Sequence, residues 1–247
     1  MKHRAVDDNG NRSAITSAVS VGSHPTGEGV LVYFGTGKYL EPGDQRSLKS
    51  SRIYAIWDKG PDTDTHNLTE ISAGNMLQQT ILSEEIFEFD TDNDGIDDVI
   101  ETRVSSNEPI DWSVHEGWYM NLEYLTPLGE QVISAPVLRD GNVIFSTHIP
   151  SGDECLPGQD GWLMVLSAVN GGLVDPGLLD LNGDNQFNEP AISGIRNKVN
   201  PFSSPTIVAG RNSDVIISQT ETNPEPSSRS LESSFVDGRL TWRELEP

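Results

Sequence analysis

Residues 133–147 read ISAPVLRDGNVIFST: a start of small residues, a short apolar strand, a polar turn containing glycine, then a second and more apolar strand. That order specifies an antiparallel hairpin. The same order occurs at 15–37, ITSAVSVGSHPTGEGVLVYFGTG, and at 202–219, FSSPTIVAGRNSDVIISQ. Around these hairpins the apolar runs stay short, β-branched and bounded by Gly, Asp, Asn or Pro, at 29–40, 51–60, 142–149, 161–169 and 214–220. A second echo is the Gly-Trp that opens GWYMNL at 117 and GWLMVL at 161, 44 residues apart. A period of about 40–45 residues with four strands per unit is that of a β-propeller blade. The sequence therefore predicts an all-β, propeller-like domain over 1–247, with a β-sandwich as the alternative.

At that period the chain holds about five blades at most, and long polar inserts reduce the number further. An open ring exposes strand edges, so an incomplete propeller or an unusual closure is expected. Helix is scarce. Residues 73–88, AGNMLQQTILSEEIFE, hold the one candidate; 221–237 read as a polar loop before a last strand, GRLTWREL, at 238–245.

Sixteen Lys and Arg stand against 38 Asp and Glu, a net charge of −22. Such a field repels phosphate backbones and anionic headgroups, which argues against nucleic acid and membrane surfaces as partners. No stretch approaches the roughly 20 apolar residues of a membrane span, and the basic first residues lead into no apolar segment, so no export signal is read and no membrane insertion is expected. The single cysteine, Cys155, excludes an internal disulfide and reads as a lone loop thiol.

Two acidic loops carry the chemistry. Residues 90–101, DTDNDGIDDVIE, place Asp90, Asp92, Asp94, Asp98 and Glu101 at positions 1, 3, 5, 9 and 12 of a calcium loop. Gly95 falls at the bend, and Ile96 gives its carbonyl at position 7. Hard oxygen donors in this number select Ca²⁺; a solvated acidic turn without an ion is the plain alternative. This loop sits in an insert over 83–103. A second loop within 178–192, DLNGDNQFNEPA from residue 180, offers Asp180, Asn182 and Asp184 at positions 1, 3 and 5, the backbone oxygen of Gln186 at 7, and Asn188 at 9. Its position 12 is Ala191, so a closing carboxylate must come from Glu189 or from elsewhere in the fold.

Catalytic and nucleotide-binding motifs are missing: there is no GxSxG, HExxH, phosphate loop or dinucleotide fingerprint. The histidines (His3, His24, His66, His115, His148) are scattered without paired spacing, and FGTGKYL lacks the glycines and the following helix of a nucleotide loop. Trp57, Trp112, Trp118, Trp162 and Trp242 read as wedges between blades rather than a sugar-stacking platform. RDG at 139–141 reads as a turn.

The strings VYFGTGKYLEPGD, RIYAIWDKG, IDWSVHEGWYMNL, the run at 132–172, DLNGDN and GRLTWREL together resemble the C-terminal propeller-like domain of the PilY/PilC family of type IV pilus tip adhesins and biogenesis factors. The resemblance covers roughly Ile15 to Leu245. It implies a non-enzymatic calcium-binding module on the cell surface that supports pilus extension, twitching motility and attachment. Its partners would be minor pilins at the pilus tip, a host or abiotic surface, and the N-terminal remainder of a longer exported protein. The family's calcium loop maps onto Asp180, Asn182, Asp184 and Asn188, the last usually Asp in the family, whereas the loop from Asp90 to Glu101 rests on spacing alone. Two other readings remain open: a quinoprotein-like propeller oxidoreductase, which GTG and GWLMVLSAVNGG also resemble, and a purely structural, calcium-stapled β-module.

Overall fold

The computed structural model describes residues 2–3, 5–6, 10–49, 51–60, 70–71, 73–90, 95–152, 160–182, 184, 186–187, 189–196, 204–210, 213–218 and 227–232. Its strands are β1 (Lys2–His3), β2 (Ser20–Ser23), β3 (Val30–Gly35), β4 (Arg52–Asp58), β5 (Glu70–Ile71), β6 (Leu77–Gln79), β7 (Ile81–Phe89) and β8 (Asp98–Ser105). They continue as β9 (Gly117–Asn121), β10 (Val137–Arg139), β11 (Asn142–Ser146), β12 (Trp162–Ser167), β13 (Gly194–Arg196), β14 (Thr206–Val208), β15 (Ser213–Ser218) and β16 (Ser227–Glu232). Among the described residues the helical content is two single 3₁₀ turns, Asp44–Arg46 and Ala73–Asn75.

The three repeated sequence patterns are three antiparallel hairpins: β2–β3, β10–β11 and β14–β15. Each opens its own sheet. The first runs β2-β3-β4-β9-β6, the second β10-β11-β12-β13-β8-β7 and the third β14-β15-β16. Asp140 and Gly141 close the second hairpin with φ of 48° and 76°, the left-handed pair that a two-residue turn between twisted strands requires.

The sheets stack like successive blades because the middle one is apolar on both faces. Along β11 and β12, Val143, Phe145, Trp162, Met164 and Leu166 turn toward the first sheet and pack with Leu31, Tyr33, Ile53 and Trp118. Their alternating neighbours Ile144, Leu163 and Val165 turn toward the third sheet and pack with Ile216 and Leu231. A strand buried on both faces has no polar side, which is why these segments read as continuous apolar runs. Trp118 and Trp162 are the wedges between the first two sheets. Polar links add direction. The carbonyl of Ala168 accepts from Tyr33 Oη at 3.0 Å and from Trp118 Nε1 at 3.1 Å, and Arg139 Nε donates to the fully buried Asp214 at 2.5 Å, joining the second sheet to the third.

Three expectations are corrected. Residues 77–79 and 81–89 are strands, not helix: β7 pairs with β8 over its length, and this ladder outweighs the helix-forming Leu and Glu residues of the segment. The two Gly-Trp pairs are not equivalent repeats, since Trp118 lies on the fourth strand of its sheet and Trp162 on the third of its own. Part of the expected polar loop at 221–237 is strand β16, which completes the third sheet. The expected strand at 238–245, with Trp242, lies outside the described residues, as do Cys155 and His66.

The long insert between β4 and β9 explains the missing regular period. It sends β7–β8 onto the outer edge of the second sheet through β8–β13 pairing, so the insert of one blade extends the next.

Candidate metal centre

The second acidic loop lies in the connection from β12 to β13, which runs between the second sheet and the third and bridges to β16 at Leu179 and Leu231. Leu179 and Leu181 are buried in the apolar layer between these sheets, so Asp180 between them is fixed and only 2% exposed. Backbone bonds stitch the segment to β16: Asp180 N–H donates to the Ser230 carbonyl at 3.2 Å, and Glu232 N–H donates to the Leu178 carbonyl at 2.9 Å. Beyond Asp180 the chain turns tightly on its own side chains. Asp184 N–H donates to Asn182 Oδ1 at 3.0 Å, Gln186 N–H donates to Asp184 Oδ1 at 2.6 Å, and Asn182 Nδ2 donates to Asp184 Oδ2 at 3.2 Å.

This turn brings one carboxylate oxygen each of Asp180, Asp184 and Glu189 within 4.8 Å of one another. Among the described residues it is the only group of three or more acidic, histidine or cysteine side chains so gathered. Glu189 stands off the twelve-residue pattern, and the fold supplies it as the third carboxylate that the spacing left open. Asn188 lies outside the described residues. Three carboxylates with the Asn182 amide oxygen beside them form a hard, anionic oxygen set, the donor chemistry that Ca²⁺ takes.

The first acidic loop is the tip of the β7–β8 hairpin. Gly95 has φ of 87°, the left-handed bend expected of it, and its N–H donates to Asp90 Oδ2 at 3.0 Å. Ile96 is exposed, and Asp98 opens β8 opposite Phe89; Asp92 and Asp94 lie outside the described residues. Glu101 sits farther along β8, opposite Ile86. Three residues of extended chain from Asp98 amount to roughly 10 Å. There Glu101 Oε2 accepts from Arg196 Nη1 at 2.6 Å, while the same guanidinium donates to Asp160 at 2.8 and 2.5 Å. These bonds, those to Asp160 foremost, raise the Arg196 pKa and keep it cationic.

Sequence spacing gave no sign of a buried ionic cluster nearby. Arg103 of β8, 1% exposed, donates to Glu84 at 2.7 Å and to both oxygens of Glu130 at 2.9 and 3.0 Å, and its guanidinium lies over Trp162. It ties the inserted hairpin to the body of the second sheet.

Comparison with known proteins agrees with this architecture. A family model described as the PilY1 beta-propeller domain matches residues 2–93. Type IV pilus biogenesis factor PilY1 of Pseudomonas aeruginosa PAO1 is 29% identical over 272 aligned positions, covering 99% of this chain and 22% of the relative. A PilY1 homolog of Xylella fastidiosa Temecula1 is 27% identical, covering 96% of this chain and 17% of the relative. The chain thus spans about a fifth of the length of these relatives. The crystal structure of the Pseudomonas aeruginosa PilY1 C-terminal domain superposes with a TM-score of 0.76 at 24% identity, covering 93% of this chain and 47% of that one. The family-model match over residues 2–93, the alignments along nearly the whole chain and the shared fold show that this chain is similar to the C-terminal propeller-like domain of PilY1.

Proposed function

We propose that this chain is a calcium-binding, non-enzymatic module of a type IV pilus biogenesis protein. It acts at the cell surface as part of a longer exported chain, with minor pilins at the pilus tip, and supports pilus extension, twitching motility and attachment to host or abiotic surfaces. The pilus role rests on kinship with proteins named as pilus biogenesis factors. Calcium rests on one observation, the convergence of Asp180, Asp184 and Glu189 in a turn stitched to β16.

Held there, the ion would neutralise three carboxylates whose mutual repulsion otherwise opposes the turn, and so fasten the third sheet to the second. Asn182 and the Gln186 carbonyl fit as neutral ligands beside them, with Asn188 in the same role. The tip set Asp90, Asp92, Asp94 and Asp98, with the Ile96 carbonyl, carries the same proposal in weaker form. Glu101 can close that loop only by leaving Arg196.

The test is isothermal titration calorimetry with Ca²⁺ on the wild-type domain and on Asp184→Asn, paired with a motility assay of cells carrying the same substitution in the full-length protein. Loss of one site together with loss of twitching is the expected result. Loss of the site with normal twitching would separate calcium from the pilus role.

A further inference from the structure

The GTGKYL segment that follows β3 has no part in the acidic loops, yet it lines a cavity of about 330 Å³. Three cations meet there: Arg12, Lys38 and Lys49. Lys38 is held by Glu41 at 2.6 Å and by Asp44 at 3.4 Å, but neither Arg12 nor Lys49 has an ion-pair partner among the described residues. Asp44 is the one carboxylate among the described residues of the lining, and its Oδ2 already accepts the N–H groups of Leu40 and Glu41, both at 2.8 Å. Among the described residues the lining is therefore net positive inside a strongly negative molecule.

Backbone bonding decides which anion fits. A phosphate cradle needs several free N–H groups pointing inward. Here Gly37 N–H donates to the Ala14 carbonyl and Lys38 N–H to Gln131 Oε1, at 2.9 and 2.7 Å, while those of Leu40 and Glu41 serve Asp44. What remains is side-chain chemistry: separate cationic groups and the hydroxyl-bearing Ser13, Ser47 and Ser51. That lining suits a carboxylate on a hydroxylated ring. The volume lies at the small end of the range for ligand cavities, about 300–1,000 Å³, and admits one sugar unit rather than an extended chain.

We propose that the cavity between Arg12, Lys38 and Lys49 is a binding site for a carboxylate-bearing sugar unit. Arg12 and Lys49 pair with the carboxylate, and the serines meet the ring hydroxyls. Lys38, already committed to Glu41 and Asp44, shapes the wall. The site is independent of the acidic loops and of the pilus reading.

The test titrates the domain with D-glucuronate, D-glucose and inorganic phosphate, followed by NMR chemical-shift perturbation. Glucuronate is expected to saturate shifts at Gly37, Lys38 and Ser51, to weaken severalfold as salt is raised, and to lose about tenfold or more in affinity in Arg12→Ala/Lys49→Ala. Both substituted side chains are exposed, so the variant should melt as the wild type does. Unchanged affinity in that variant, equal binding of glucose, tighter binding of phosphate, or no saturable shift with glucuronate would each overturn the assignment.

Discussion

The guanidinium of Arg103 lies 4.0 Å from the ring centre of Trp162, with Glu130 and Glu84 taking up its N–H groups. A residue of the inserted hairpin thus meets the aromatic wedge between the first two sheets. Arg103 and Glu130 are 1% and 2% exposed, so neither charge has water as an alternative partner.

Replacing Arg103 by Met leaves Glu130 buried and uncompensated, and the expected cost is about 3–5 kcal/mol. Removing both charges, in Arg103→Met/Glu130→Gln, should recover a large part of that loss. Urea denaturation of the wild type, both single variants and the pair forms the cycle that measures it. A double variant as unstable as Arg103→Met would show that packing on Trp162, not the ion pair, carries the effect.

Calcium should raise the melting temperature of the domain. At a hundredfold excess over the dissociation constant, linkage gives about 2.7 kcal/mol, or roughly 5–10 °C for a domain of this size. Asp180→Asn should abolish the shift, since Asp180 is the one buried carboxylate of the group. Hydrogen exchange locates the effect: chelator should speed exchange at the Asp180 and Glu232 amides, which bond between the loop and β16, and leave Val165 in the second sheet slow. Uniform acceleration across all three would mean that the loop does not act locally.

What is legible in the sequence depends on where each contact closes. The hairpins were legible because strand, turn and strand lie within about 20 residues, as in Val137–Arg139, Asp140-Gly141 and Asn142–Ser146. The β7–β8 hairpin was hidden because LSEEIF carries good helix formers, and its strand character comes from pairing with Asp98–Ser105 and onward to β13. The equivalence of β4 and β12 was obscured by the insert at 59–116, which let two unrelated Gly-Trp pairs imitate a period. Asp180 and Asp184 could be chosen by spacing, but selecting Glu189 required the three-dimensional turn. Arg103 and Glu130, 27 positions apart and on different elements, have no local signature at all.

Stability should fall in mild acid through His24. Its ring stacks on Trp57 at 3.9 Å, meets the edge of Trp112 at 4.2 Å, and is 2% exposed, with Nδ1 bonded to Thr26 Oγ1 at 2.7 Å. Burial, and secondarily the Lys59 ammonium, lower its pKa below 6.5 in the folded state. The unfolded chain then binds the proton more readily, so the stabilising contribution is complete above the unfolded value of about 6.5 and is lost as pH falls below it and through the lower folded value. His24→Phe keeps the stack and removes the proton site. Urea midpoints at pH 8 and pH 5.5 should converge more closely in this variant than in the wild type; an unchanged gap would assign the acid sensitivity to other groups.

Gly171 should be intolerant of even one methyl group. It follows the turn after β12 with φ of 73°, and a Cβ there would lie 2.2 Å from Cε3 of Trp118. The indole cannot yield: Trp118 is fully buried, its Nε1 is tied to the Ala168 carbonyl at 3.1 Å, and Tyr33 meets it edge-on. A left-handed backbone costs a residue with a side chain about 1–2 kcal/mol, and overpacking a filled core costs about 1–3 kcal/mol more. Gly152 supplies the control, with φ of 77° and nothing within 4 Å of the place a methyl group would take. Gly152→Ala should therefore lose only the backbone share, whereas Gly171→Ala should lose about 3 kcal/mol in total by chemical denaturation. Equal losses would mean that the sheets separate freely enough to admit the methyl group, and that the junction between the first and second sheets at Trp118 is looser than its burial indicates.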